Sequence, residues 1–337
     1  MSAVEAAVEA SERRAVLGLR ALWLTLAVVV VGASLVGAAN LSATALWEGL
    51  TQPSAHPDAA AIVWNIRLPR VALGVVVGAA LAMSGAALQG ALHNPLADPA
   101  LTGVSSGAAL GAGLWLAAGA EALVGLPLAA LVGALLAVGL LSRLAAGASV
   151  ATLALAGVAL NAVFGAGLSL VWELAEPTTL RSLVSFIHGA LGGASPREVG
   201  LVVAGTAVGL VAMYRQADAL DALSLGERPA ALLGVDARRV SRRVMVIAAA
   251  TMAVSVPFTG VIGFVGLVVP HLARRLVGGR HRCLLPASGL AGACVVVLGD
   301  LLARTVVAPR ELPLGLLTAL VGAPAFVGLI VRRTGAR

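Results

Sequence analysis

Lysine is absent from this chain of 337 residues, and all 23 basic side chains are arginine. A P-loop needs its lysine on the β- and γ-phosphates and Schiff-base chemistry needs an amine, so the chain is neither its own P-loop ATPase nor a Schiff-base enzyme. Charge is scarce at 12%, against 59% hydrophobic residues and a mean hydropathy of +0.98. Such a composition cannot keep a polar skin around a soluble core, and the chain is expected in a membrane. Aromatics reach only 3%, too few for the girdles of an outer-membrane barrel, so the spans are expected to be helices. The two cysteines, Cys283 and Cys294, lack any metal-ligand spacing and imply neither a disulfide framework nor a metal site. No triad, HExxH pattern or paired catalytic carboxylates can be assembled; no catalytic residue is assigned, which disfavours an intramembrane enzyme.

What the chain has in abundance is apolar runs, at about residues 21–39, 71–90, 100–120, 122–141, 150–171, 199–213, 244–273, 283–303 and 312–331. The first follows Arg13, Arg14 and Arg20 with no small-residue cleavage site behind it, and is expected as a retained span. The seventh is long for one crossing and short for two, and is interrupted by Pro257, Gly260, Gly263, Gly266 and Pro270. Six arginines lie before it between Tyr214 and Arg243, and four after it between Arg274 and Arg282. Positive residues collect on the cytoplasmic side, so two shortened crossings hinged near Gly260 are expected rather than one. The outcome is an all-α polytopic membrane protein with ten transmembrane helices and both termini cytoplasmic. It puts 17 arginines inside and six outside, namely Arg67, Arg70, Arg181, Arg197, Arg304 and Arg310. The basic composition is therefore topological and implies a lipid bilayer rather than nucleic acid. Four-residue glycine spacings, as in Gly74 and Gly78, Gly103, Gly107 and Gly111, and Gly205 and Gly209, mark faces where backbones approach closely.

Charge inside a span costs on the order of 2.5–3.5 kcal/mol and asks for a partner or a job. Asp300 and Arg304, four residues apart, are expected as a same-face ion pair near the outer end of a helix. In a proton-coupled secondary transporter, the rival reading, Asp300 would titrate; such carriers have broken helices in both halves, and one clearly broken run is evident. His271 reads as a cap on a short helix, His93 as a loop residue, and His188 as a speculative substrate contact on the outer side. Residues 218–243 are the most informative polar stretch. Leu223, Leu225, Ala230, Leu232, Leu233 and Val235 are broken by Gly226, Pro229 and Gly234, which predicts two short helices joined by a tight turn. This element cannot span, and it suits a cytoplasmic surface on which a nucleotide-binding partner docks.

Several blocks carry a family resemblance. Arg67-Leu68-Pro69-Arg70, the stretch from Gly85 through Gln89 to Asn94-Pro95-Leu96-Ala97-Asp98-Pro99, and Gly103 to Gly107 come first. Leu225-Gly226-Glu227 with Leu233-Gly234-Val235, Gly260 to Gly266 with Pro270-His271 and Arg274, and Asp300, Arg304, Glu311-Leu312-Pro313 and Gly315 follow. In this order, over about residues 20–331, the chain resembles permease subunits of FecCD-type ABC importers. The resemblance implies the type II importer architecture, with residues 1–337 as one transmembrane domain and 218–243 as its cytoplasmic coupling segment. It implies a homodimer in the bacterial inner membrane, two cytoplasmic ATPase subunits that hold ATP and Mg, a periplasmic binding protein, and no cofactor on this chain. By the same resemblance Arg67, Arg70 and Arg304 dock the binding protein. Leu223, Leu225, Gly226, Glu227, Ala230, Leu233, Gly234 and Val235 couple to the ATPase, and Gly260, Gly263, Gly266 and Pro270 are hinge or gate candidates. Residues 98, 104–109, 180–183 and 189–195 look most like haem-importing members, which implies import of haem or a related iron chelate by alternating access; ferric siderophore and cobalamin are the alternatives.

Overall fold

The computed structural model describes residues 3–37, 42–119, 125–144, 149–193 and 195–334. Among these residues the regular elements are helical. In chain order they are α1 (Ala3–Leu35), α2 (Ala43–Thr51), α3 (Pro57–Ala61), a π-helical turn (Ile62–Arg67) running into α4 (Leu68–Ala91), and a 3-10 turn (Pro99–Thr102). Then come α5 (Val104–Ala117), α6 (Gly125–Leu144), α7 (Val150–Leu174), α8 (Pro177–His188), α9 (Pro196–Tyr214), α10 (Ala217–Leu223) and α11 (Glu227–Leu232). The last four are α12 (Ala237–Thr259), α13 (Val265–Val277), α14 (His281–Thr305) and α15 (Leu314–Thr334). Seven helical stretches are long and apolar enough to cross a membrane, including Glu12–Leu35 and Pro57–Ala91; Val104–Ala117 and Leu314–Gly328 are shorter apolar helices.

Local chemistry sets the helix ends. Ser149 and Asp236 accept the N–H three residues on at the starts of α7 and α12, and Ser195 with Glu198 forms a reciprocal capping box on α9. The seventh apolar run is two helices, as its charge parity predicts. It breaks between Thr259 and Val265, where Gly260 (φ 65°) and Phe264 (φ 66°) take left-handed backbone.

α4 lies at the centre, buried along most of its length and packed on α9, α12, α13 and α14. The glycine spacings report true close approaches. A Cβ on Gly78 would stand 2.3 Å from the Gly292 carbonyl oxygen, joining α4 to α14, and one on Gly133 would stand 2.1 Å from that of Gly107, joining α6 to α5. Backbones meet because no side chain intervenes, the interface typical of helices in lipid. Helices α1, α7 and α9 lie at the edge and turn Leu24, Val163 and Val208 outward, which in lipid is no liability.

Pro270 stands inside α13 and leaves the Gly266 carbonyl without its i+4 donor. Gln89 of α4 supplies the replacement, its Nε2 donating to Gly266 and Leu267 at 3.3 Å each. His271 is a buried member of the same helix, bonded through Nδ1 to the Leu267 carbonyl at 3.1 Å, and does not cap it.

Candidate functional site

Two polar constellations stand at opposite ends of the α4–α14 pair. At one end, Arg67 closes the π-turn and Arg70 sits in the first turn of α4, while Asp300 and Arg304 occupy the last turns of the antiparallel α14 and Glu311 the loop beyond. Arg70 is the hub. Its Nε donates to both Asp300 oxygens at 3.0 Å, and its Nη1 and Nη2 donate to the two Glu311 oxygens at 2.9 Å. Forked pairing of this kind fixes both carboxylates in plane with the guanidinium. Arg304 Nε lies 3.5 Å from Asp300, so the i,i+4 pair expected from sequence exists but is the looser of the two.

The buried arginines also serve the backbone. Arg67, 4% exposed, donates to the Ser34 and Leu35 carbonyls at 2.8 Å, and Arg304, 5% exposed, donates to that of Ala33. These are among the last carbonyls of α1, which have no partner within their own helix and carry its negative end. Three guanidinia therefore face two carboxylates and the end of α1, around a cavity of about 300 Å³ lined by Gly37, Ile66, Arg67, Arg70, Arg304 and Glu311. Hydrogen bonds from Arg70 hold the Glu311 carboxyl below its ordinary range.

On the same side the end of α8 meets the α12–α13 break. Ala190 N–H donates to the Thr259 carbonyl at 2.9 Å, and Leu314 N–H to that of Gly189 at 3.0 Å. Gly260 is required there on two counts, its φ and its contact with α8, since a Cβ would fall 2.0 Å from the Phe186 oxygen. Gly263 lies in the break in open space, whereas Gly266 and Pro270 stand within α13. His188 ends α8, half-buried. Among the described residues no group of three His, Cys, Asp or Glu side chains is placed to hold a metal.

At the opposite end, α10 and α11 are the two short helices expected, turned by Ser224, Leu225 and Gly226 (φ 106°). The coupling residues divide by burial. Leu223 and Ala230 are fully buried anchors, whereas Leu225, Leu233 and Leu232 project outward, Leu232 at 90% exposure. Leu232 lies within the 218–243 coupling segment and among its apolar residues, though it was not one of the coupling residues named singly from the resemblance. Glu227 opens α11 beside a cavity of about 590 Å³ that His93, Asn94 and Ser149 also line.

Clustered guanidinia and carboxylates at one end, a broken helix beside them and an exposed apolar knob at the other end thus share one helical scaffold. Residues 24–332 match the FecCD transport family. The chain belongs to that family. It is 41% identical to the hemin transport system permease protein HmuU of Yersinia pestis, over 93% of this chain and 94% of that one. It is 39% identical to the vitamin B12 import system permease protein BtuC of Vibrio cholerae, over 88% of each, and 38% identical to the Fe(3+) dicitrate transport system permease protein FecD of Escherichia coli, over 80% and 85%. A structure described as an inward-facing metal-chelate type ABC transporter superposes with a TM-score of 0.83 at 32% identity, covering 93% of this chain and 98% of that one. This FecCD protein is thus a multi-pass ABC importer permease, a transport subunit and not an enzyme. A proton-coupled carrier built on Asp300 finds no support, as that carboxylate is committed to Arg70 and Arg304.

Proposed function

We propose that this FecCD permease carries haem, or a closely related iron chelate, inward across the bacterial inner membrane by alternating access. The observation that carries the cargo reading is the 41% identity to a hemin permease over 93% of the chain. The similar identities to cobalamin and ferric dicitrate permeases make those chelates the competing cargoes. Ten helices cross the bilayer in this reading: α1, α4, α5, α6, α7, α9, α12, α13, α14 and α15. Both chain ends and the α10–α11 knob face the cytoplasm, in keeping with the arginine excess of that side. The permease works as a homodimer with two ATPase subunits, which bind ATP and Mg, and a periplasmic binding protein.

Arg70 is the arginine that a binding-protein carboxylate meets first, because the Glu311 half of its bridge is exposed. Arg67 and Arg304 act from beneath, adding positive potential and fixing α1. Leu225, Leu232 and Leu233 enter a groove of the ATPase, while Leu223 and Ala230 hold the knob to the body; Gly260 and Gly263 supply the bend between open states. His188 faces the cargo entrance. The test is ATP hydrolysis by the complete complex in nanodiscs, challenged with binding protein loaded with haem, cobalamin or a ferric siderophore. Haem is expected to give the largest stimulation; a greater response to either rival would overturn the cargo, and hydrolysis indifferent to all three would overturn the importer assembly.

A further inference from the structure

Asp221 carries an inference about how the two ends communicate. It lies on α10 and reaches the first residue of α14. Its Oδ1 accepts the His281 backbone N–H at 2.6 Å and the His281 Nδ1–H at 2.8 Å. The N-cap residue of α14, Arg280, makes no side-chain cap bond, so a carboxylate from another element caps this helix and sets a negative charge on its positive end. One residue on, Arg282 forks onto Asp218 of α10 through Nε and through Nη2, the latter at 2.7 Å.

The end of α4 joins the same knot. His93 donates through Nε2 to the Leu223 carbonyl at 2.8 Å. Gly90 presses on His281 so closely that a Cβ there would lie 2.3 Å from its Nε2. The α10–α11 knob is therefore fastened to the turn that follows α4 and to the first turn of α14. At their far ends these two helices are joined again by Arg70 and Asp300, and between lies the Gly78–Gly292 contact with no side chain to act as a bearing. The 25 residues of α14 span about 37 Å at 1.5 Å each, more than the hydrocarbon core of about 30 Å. Helices locked at both ends and in the middle cannot slide, so a displacement at one end reappears at the other.

We propose that α4 and α14 form one rigid strut linking the Arg70–Asp300–Glu311 cluster to the α10–α11 knob, and that Asp221 is the positioning residue that engages it. Its transport role rests on the two ends being docking sites; the strut itself does not. The full chain in lipid nanodiscs is followed by backbone hydrogen exchange. Asp300→Asn speeds exchange of the α10–α11 amides by about tenfold, and Asp221→Ala does the same over the last turn of α14. Glu198→Ala, which removes the α9 capping box, changes neither. Gly90→Ala, which displaces His281 without touching Asp221, reproduces the Asp221→Ala pattern. Changes confined to the mutated end in both the Asp300 and Asp221 variants would overturn the strut, whatever the partners prove to be. With ATPase and binding protein added, the ratio of binding-protein affinities with and without ATP falls in Asp221→Ala to within about twofold of one, while both partners stay bound. A wild-type ratio in that variant would overturn the coupling role; a wild-type chain that binds neither partner would overturn the docking assignment and leave exchange to decide the strut.

Discussion

Removing either carboxylate leaves Arg70 with one partner fewer, yet the two deletions differ several-fold in consequence. The side chains of Asp300 and Arg70 are 5% and 11% exposed, whereas that of Glu311 is 45% exposed. Asp300→Ala leaves Arg70 with Glu311 and strips Arg304, itself buried, of the carboxylate that pairs with it at 3.5 Å among the described residues. Breaking a buried pair from one side costs about 3–5 kcal/mol, because a charge stays behind unpaired. Glu311→Ala breaks a pair that water can replace, worth about 1 kcal/mol or less. The gap, about 3 kcal/mol, is roughly a hundredfold in an equilibrium constant. The assay is thermal denaturation of wild type, Asp300→Ala and Glu311→Ala in one detergent at one scan rate, which compares kinetic stabilities fairly. Asp300→Ala is expected to denature at a clearly lower temperature, with Glu311→Ala close to wild type. Equal losses, or a larger one for Glu311→Ala, would refute the reasoning, since burial would then not govern these bridges.

Three further outcomes follow from the same geometry. Gly85→Ala drives a Cβ to within 1.9 Å of the Gly266 oxygen and is expected to cost about 1–3 kcal/mol, whereas Gly139→Ala on α6, with nothing within 4 Å, costs nothing; denaturation curves separate the two. Glu311 is held below its ordinary value of 4.5, so its contribution is complete above that value and lost as pH falls through the lower folded one. The stability difference between wild type and Glu311→Gln is accordingly constant near neutrality, begins to shrink as pH falls past about 4.5, and vanishes only below the lower folded value. Leu232→Glu changes stability by less than about 0.5 kcal/mol but abolishes co-purification with the ATPase, whereas Leu223→Ala loses about 2–5 kcal/mol by opening a cavity.

Much of the helical layout was legible because lipid imposes one dominant rule. The run at 150–171 became Val150–Leu174, and the interrupted run at 244–273 parted at Gly260, where proline, glycine and the flanking arginines said it must. The paired short helices at α10 and α11 were equally readable from Gly226, Pro229 and Gly234. The wiring of the site was not. Spacing along one helix reveals Arg304 as a neighbour of Asp300, but the stronger partner, Arg70, is 230 residues away and is brought near only by the α4–α14 seam. The partners of Arg67 include backbone carbonyls of α1, which no side-chain pattern displays. Helices α2 and α3 escaped notice because neither is a long apolar run, and the rescue of the Gly266 carbonyl by Gln89 depends on a register between helices that composition does not encode.

The π-turn at Ile62–Arg67 holds one residue more than an α-helical ladder requires. Each residue advances a helix by about 100°, so loss of a single residue between positions 62 and 66 would let the ladder close as plain α-helix. Arg67 and Arg70 would keep their places, while Trp64 and the α2–α3 segment before it would swing to a new azimuth. Deletion of one codon can therefore re-aim the whole α2–α3 segment while the Arg70–Asp300–Glu311 bridges stay in place.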